Sequence, residues 1–193
     1  MHEQLWFSGF EPKPPRHSLF FGLLAPTDSA TIITKAADDL RHGFGLDGRL
    51  IAPERLHVSL HAIGGFDCLP NFIIERAYEA GSMVSASRFS LIFDSVVSFD
   101  NNRAKRPFVF LPGYDLARLF ALHDVLGKAM KRARMGRYPR SRFTPHMTLL
   151  YDSRMVAARP IKPIGMEVYD FVLVDSLVGQ SRYIELARWP LQA

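Results

Sequence analysis

One cysteine, Cys68, stands in the 193 residues. A lone thiol excludes an internal disulfide framework and fits a reducing, intracellular setting. An inert, partly buried thiol is expected of it rather than a nucleophile. No apolar run approaches the ~20 residues needed to cross a bilayer. The first fifteen residues, with Glu3, Glu11 and several prolines, lack the apolar centre of a signal peptide and read as an irregular arm. The chain has no low-complexity tract, no HExxH pattern and no Cys/His ligand spacing, so neither a metal nor a cofactor is expected. His57 and His61 share a parity that would set both on one strand face, where His61 reads as a flank residue of a pocket or a surface group. These absences leave a cytoplasmic, monomeric protein with no membrane partner as the expectation.

Hydrophobic residues make up 48% of the chain and charged residues 22%, enough for a sizeable core. The net charge of +5 favours a polyanion as partner. Alternation and punctuation give the elements in order. A buried strand runs from His17 to Leu24, and a helix from Thr27 or Asp28, either of which could cap it, to about Gly43. A strand over 54–63 precedes a helix from Pro70 to about Met83. Arg88–Phe99 and Phe108–Leu111 form a hairpin across the turn signal Asp100-Asn101-Asn102. The longest helix spans Tyr114–Met135, followed by strands at 143–151, 168–178 and 182–189. Helices alternate with strands while hairpins are frequent, which predicts an α+β fold. The expected arrangement is a single bilobal, duplicated domain over 16–193, with two largely antiparallel sheets lining a central cleft and helices outside.

The duplication rests on one pattern. His57-Val58-Ser59-Leu60 and His146-Met147-Thr148-Leu149 share the form His-apolar-Ser/Thr-Leu. In a strand, residues i and i+2 face one way and i+1 and i+3 the other. Each copy therefore presents an imidazole and a hydroxyl on one side and two apolar groups on the other. Of seven histidines, only these two have a hydroxyl two places on, and both are then followed by Leu. Two such strands side by side would bring two imidazoles and two hydroxyls to one pocket, a set able to hold a phosphate and move protons on both sides of it.

Four longer stretches matter, two of them containing the motifs: Ser18-Leu-Phe-Phe-Gly-Leu-Leu-Ala-Pro26, Pro53-Glu-Arg-Leu-His-Val-Ser-Leu-His61, Arg142-Phe-Thr-Pro-His-Met-Thr-Leu149, and Phe171-Val-Leu-Val-Asp-Ser176 with Tyr183 and Trp189-Pro190-Leu191. In these stretches the chain resembles the two-histidine (2H) phosphoesterase superfamily, in particular the LigT-like RNA 2′,3′-cyclic phosphodiesterases, also called 2′-5′ RNA ligases. It departs at Tyr151, where that family often carries Arg, and uses Ser59 where Thr is commoner.

The resemblance implies hydrolysis of RNA 2′,3′-cyclic phosphate ends to a 2′-phosphate, without metal, with 2′-5′ joining as the reverse reaction. It implies that His57 protonates the leaving 3′ oxygen and His146 activates water. Ser59 and Thr148 would donate to the non-bridging oxygens, where charge grows. Imidazoles with pKa values near 6.5 suit either proton-transfer role near neutral pH. The basic stretch from Lys128 to Arg142 reads as a funnel for an RNA backbone or as a solvated face, and the turn Arg103–Arg106 as a further contact. Arg142, Phe143, Phe20, Arg55 and Tyr183 are the individual candidates for substrate contact. Two alternatives remain open from sequence. One is a phosphodiesterase on a small cyclic nucleotide or a 2′-5′ oligoadenylate; the other is an RNA-end binding module without turnover.

Overall fold

The computed structural model describes residues 15–101, 103–136, 138 and 143–193. Asn102 of the expected turn, Arg137, Arg140 and Arg142 of the basic stretch, and residues 1–14 of the expected arm lie outside them.

Eight strands and three α-helices make up the described chain: β1 (His17–Leu24), α1 (Thr27–Gly43), β2 (His57–Phe66), α2 (Asn71–Ser82), β3 (Phe89–Ser98), β4 (Arg106–Tyr114), α3 (Ala117–Arg132), β5 (Met147–Asp152), β6 (Arg159–Val168), β7 (Asp170–Leu177) and β8 (Arg182–Pro190). A 3₁₀ turn, Pro53–Arg55, leads into β2. The strands are ordered β6-β3-β4-β5-β2-β1-β7-β8, all neighbours antiparallel.

The α+β class is as expected, but the ladders form one eight-stranded sheet, not two. The physical reason lies at the middle. β5 and β2 would each present an unpaired edge, and they meet through the pair Val58–Met147. Outward from that seam, the order is the same on both sides. β1-α1-β2 is matched by β4-α3-β5, β7 by β3, and β8 by β6.

The helices bury one face of the sheet. α1 presents Ala30, Ile33 and Ala37, α2 presents Ile73, Ala77 and Ala80, and α3 presents Leu119, Leu122, Leu126 and Met130. Phe21, Phe93, Phe108, Phe110 and Phe171 are fully buried beneath them, each worth about 1.5–3 kcal/mol of transfer free energy. A second, small cluster of Phe20, Val172 and Val174, with Leu24 and Tyr183, belongs to the other face. Among the described residues no helix is long and apolar enough to cross a membrane.

Four local expectations change. β6 carries Pro160, Pro163 and Gly165, which mask its alternation; it sits at the sheet edge, where proline costs no ladder bond. α1 has Pro26 at its N-cap, not Thr27 or Asp28, and no side-chain cap. α3 begins at Ala117, because Tyr114 belongs to β4 and Asp115 takes a positive φ of 41° between them. Cys68 is exposed, since it lies in the loop between Phe66 and Asn71 and not in an element with a buried face.

Candidate active site

Each motif ends in a β-bulge, and the bulged residue is the motif's own leucine. Across β1 and β2, Gly22 pairs with Ser59 and Phe21 with His61, leaving Leu60 extra. Across β4 and β5, Val109 pairs with Thr148 and Phe108 with Leu150, leaving Leu149 extra. Before the bulge the faces alternate as predicted: Val58, Leu60, Met147 and Leu149 are buried in the core. His57, Ser59, His146 and Thr148 occupy the opposite face, each partly accessible. After the bulge the parity reverses. His61 therefore points into the helix layer, against expectation. There it is buried, stacked on His123 at 4.0 Å, and hydrogen-bonded to the His123 carbonyl at 2.8 Å.

The antiparallel pairing of Val58 with Met147 sets His57 across from Thr148 and Ser59 across from His146. The two histidines are thus diagonal neighbours on one face, roughly 7–8 Å apart along such a diagonal. That gap suits a tetrahedral phosphate between the rings, with a hydroxyl beside each.

The two imidazoles are oriented alike. His57 Nδ1 donates to the Arg55 carbonyl at 2.8 Å, and His146 Nδ1 donates to the Thr144 carbonyl at 2.8 Å. A carbonyl only accepts, so in each ring Nδ1 carries the hydrogen and Nε2 is left as the reactive nitrogen. Ser59 Oγ lies 3.1 Å from His57 Nε2 and donates to it in the resting site. Burial chiefly, then the neighbouring His146 and Arg55, pull the His57 pKa down from 6.5 to about 4, against the carbonyl bond that raises it.

Aromatic rings wall both histidines. Phe20 lies 4.9 Å from the His57 ring, and Tyr183 meets that ring edge-on at 5.5 Å. The Tyr183 hydroxyl is 3.4 Å from His57 Nδ1, and its pKa is raised, mainly by burial. The Arg55 guanidinium rides over the Tyr183 ring at 4.7 Å. On the other side Phe99 packs edge-on against His146 at 5.0 Å. Phe99 escaped the sequence reading because it lies at the end of an ordinary alternating strand. Tyr151, at the departure from the family pattern, lies on the site's side of β5 and influences Tyr183 electrostatically.

The structure thus gathers His57, Ser59, His146, Thr148, Phe20, Arg55 and Tyr183. It does not bring Phe143 to them. Phe143 stacks parallel on His123 at 4.2 Å and edge-on to Phe120, against α3. Of the basic turn, Arg106 is tied to its own hairpin through Asp100 and to the Ser153 carbonyl. Among the described residues no group of three or more His, Cys, Asp or Glu side chains could hold a metal ion.

The single sheet built from two matched halves is a LigT-like fold. The similarity covers most of the chain. Escherichia coli LigT superimposes with a TM-score of 0.66 at 24% identity, over 94% of this chain and 100% of that one. TT0787 of Thermus thermophilus gives 0.71 at 19% identity, over 91% and 98%. A crystal structure of a phosphoesterase gives 0.68 at 23%, over 92% and 99%. E. coli LigT has been crystallised with 3′-AMP, ATP, NADP⁺ and phosphate. No family model and no curated protein matches the chain in sequence.

Proposed function

We propose that the protein is a two-histidine phosphoesterase that opens 2′,3′-cyclic phosphate ends of RNA without a metal, leaving a 2′-phosphate. The observation that carries this reading is the matched pair of imidazoles across the Val58–Met147 seam, both turned by a carbonyl at Nδ1 so that Nε2 is free for chemistry. The LigT-like fold and the nucleotide and phosphate complexes of E. coli LigT support it.

In this scheme the cyclic phosphate lies between the rings. His146 Nε2 takes a proton from water as the water oxygen bonds to phosphorus. The bond from phosphorus to O3′ breaks, and His57 Nε2 delivers the proton that O3′ requires. Ser59 turns from the resting His57 to a non-bridging oxygen, and Thr148 donates to the other, where negative charge accumulates. Each proton transfer contributes about 10²–10⁴-fold. The same path, with a 5′-hydroxyl in place of water, would form a 2′-5′ bond as O3′ leaves, and joins strands only where water is outcompeted. His57 is deprotonated at neutral pH in the empty site, so its acid role depends on the anion of the bound phosphodiester stabilising the imidazolium.

The test is hydrolysis of an oligonucleotide with a 2′,3′-cyclic end by the wild type, His57→Ala and His146→Ala, with circular dichroism to check the fold. Both variants should lose at least about 10²-fold in kcat/KM with unchanged spectra. Wild-type rates in either variant would remove the mechanism. A nucleoside 2′,3′-cyclic monophosphate assayed alongside separates an RNA-end enzyme from one acting on small nucleotides.

A further inference from the structure

A cavity of about 620 Å³ lies between α1 and the segment that leads through Arg55 into β2. Its lining includes Arg41 from α1, Arg49 from the connecting segment and Arg55 from the 3₁₀ turn, with Thr34 and Ser181, and no carboxylate. Asp38 pairs with Arg41 at 2.8 Å but does not itself line the cavity. Arg49 is exposed and has no hydrogen-bond or ion-pair partner among the described residues. Two lining residues also hold buried polar atoms without partners, the Thr34 hydroxyl and Arg55 Nε. Buried donors are rarely left unsatisfied, and each such case calls for an explanation. Both atoms are closed off from the cavity, so an oxyanion held there would instead meet the guanidinium groups of Arg49, Arg55 and the Asp38-paired Arg41, which favour phosphate geometry.

The neighbouring cavity makes a contrast. It shares Arg55 and Ser181 and adds Arg182 and Arg188, but Glu54, Glu167, Asp170 and Glu185 also line it, and Arg188 is already held by Asp170 and Glu185. The mixed charge of that lining favours a negatively charged backbone less than does the arginine cavity, which has no carboxylate. Arg55 links that cavity to the chemistry, since its carbonyl orients His57 and its guanidinium covers Tyr183. His57, Ser59, His146 and Thr148 are absent from the arginine lining, so the cavity is a separate site and not the seat of the scissile phosphate.

The geometry points to a phosphate-binding subsite, built from Arg41, Arg49 and Arg55, that grips a phosphodiester of the RNA strand upstream of its cyclic end. This deepens the proposed function and rests on it. The subsite reads strand backbone and no base, and so favours polynucleotide over mononucleotide substrates.

The experiment compares wild type with Arg49→Gln and with the double variant Arg41→Gln/Arg49→Gln on two substrates: a cyclic-ended oligonucleotide and the nucleoside 2′,3′-cyclic monophosphate, which has no upstream phosphate. For the oligonucleotide, Arg49→Gln should raise KM about tenfold at unchanged kcat, and lower the slope of log KM against log salt by about one. The double variant should raise KM further. The mononucleotide constants should not move. Equal changes on both substrates, or none on either, would overturn the subsite. Should the wild type hydrolyse neither substrate, the catalytic reading falls alone. Fluorescence anisotropy with a labelled oligonucleotide ending in a 3′-phosphate then decides the subsite: weaker binding by Arg49→Gln upholds it, and equal binding overturns it.

Discussion

Filling the seam with an anion should change the charge state of His57. In the empty site, burial chiefly, with the neighbouring His146 and Arg55, holds its pKa near 4, down from 6.5. At about 1.4 kcal/mol per pH unit, that displacement disfavours the imidazolium by about 3 kcal/mol. A phosphate monoanion about 4 Å from the ring, at the effective dielectric of a partly buried site, returns about 4 kcal/mol. The two magnitudes nearly cancel, so binding a nucleoside 3′-phosphate should carry the His57 pKa back into the range of a free histidine or slightly above. The assay is a carbon–proton NMR titration of the His57 ring, assigned by its loss in His57→Gln, with and without saturating 3′-AMP. Titration near 6.5 in the empty protein would refute the reasoning, as would a value still near 4 with the nucleotide bound. Stability should carry the same signature. A histidine whose folded pKa is depressed binds its proton more readily when unfolded. Stability is therefore full above about pH 6.5, falls as the pH drops towards 4, and levels off below that. His123, also held near 4 mainly by burial, acts in the same direction. Saturating 3′-AMP should flatten the slope contributed by His57.

Asp152 is a second test. Its buried carboxylate accepts from the backbone N–H groups of Asp47 and Gly48 at 2.7 Å and of Arg154 at 2.8 Å, pinning the segment that runs beside β5. Asp152→Ala should cost about 3 kcal/mol in urea unfolding, and Asp152→Asn less; a loss under about 0.5 kcal/mol would show that the clamp contributes little. Burial pushes the Asp152 pKa up, but the three donors hold it below the ordinary carboxylate value. Its stabilisation is therefore present above about pH 4 and disappears as the pH falls through the folded value. Gly81 sets two effects against each other. Alanine in a helix gains about 1 kcal/mol over glycine, yet a Cβ there would overlap the Trp189 indole, which is stacked on Phe171 at 5.1 Å. Overlap should win, lowering the unfolding midpoint of Gly81→Ala; a raised midpoint would mean that the indole moves aside freely.

The strand-helix order and the motif faces were legible because each depends on periodicity within one segment. Val58 and Met147 had to be buried once His57 and Ser59, or His146 and Thr148, faced outward. What depends on a partner strand was not legible. Nothing in Leu60 or Leu149 announces a bulge, because the extra residue is defined only by the ladders to β1 and β4. The placement of His61 failed for that reason. Phe143 stands close before His146 and reads as a site neighbour in sequence, yet His123 on α3 offers it a better stacking surface. β6 was hidden by prolines that a central strand would not tolerate. Arg41, Arg49 and Arg55 are scattered through helix, loop and turn, so no local pattern marks them as one cavity.

The mirrored order of strands about the Val58–Met147 pair has an implication for substrate polarity. Reactive groups arranged this way are ambidextrous: a phosphodiester entering head first or tail first meets an imidazole and a hydroxyl in the same sequence. Directionality must then come from the unequal banks of the site, with Phe20, Tyr183 and Arg55 on one and Phe99 on the other. Under the proposed function, changing which end of a strand is accepted would call for rebuilding the banks while leaving the histidine and hydroxyl pairs untouched.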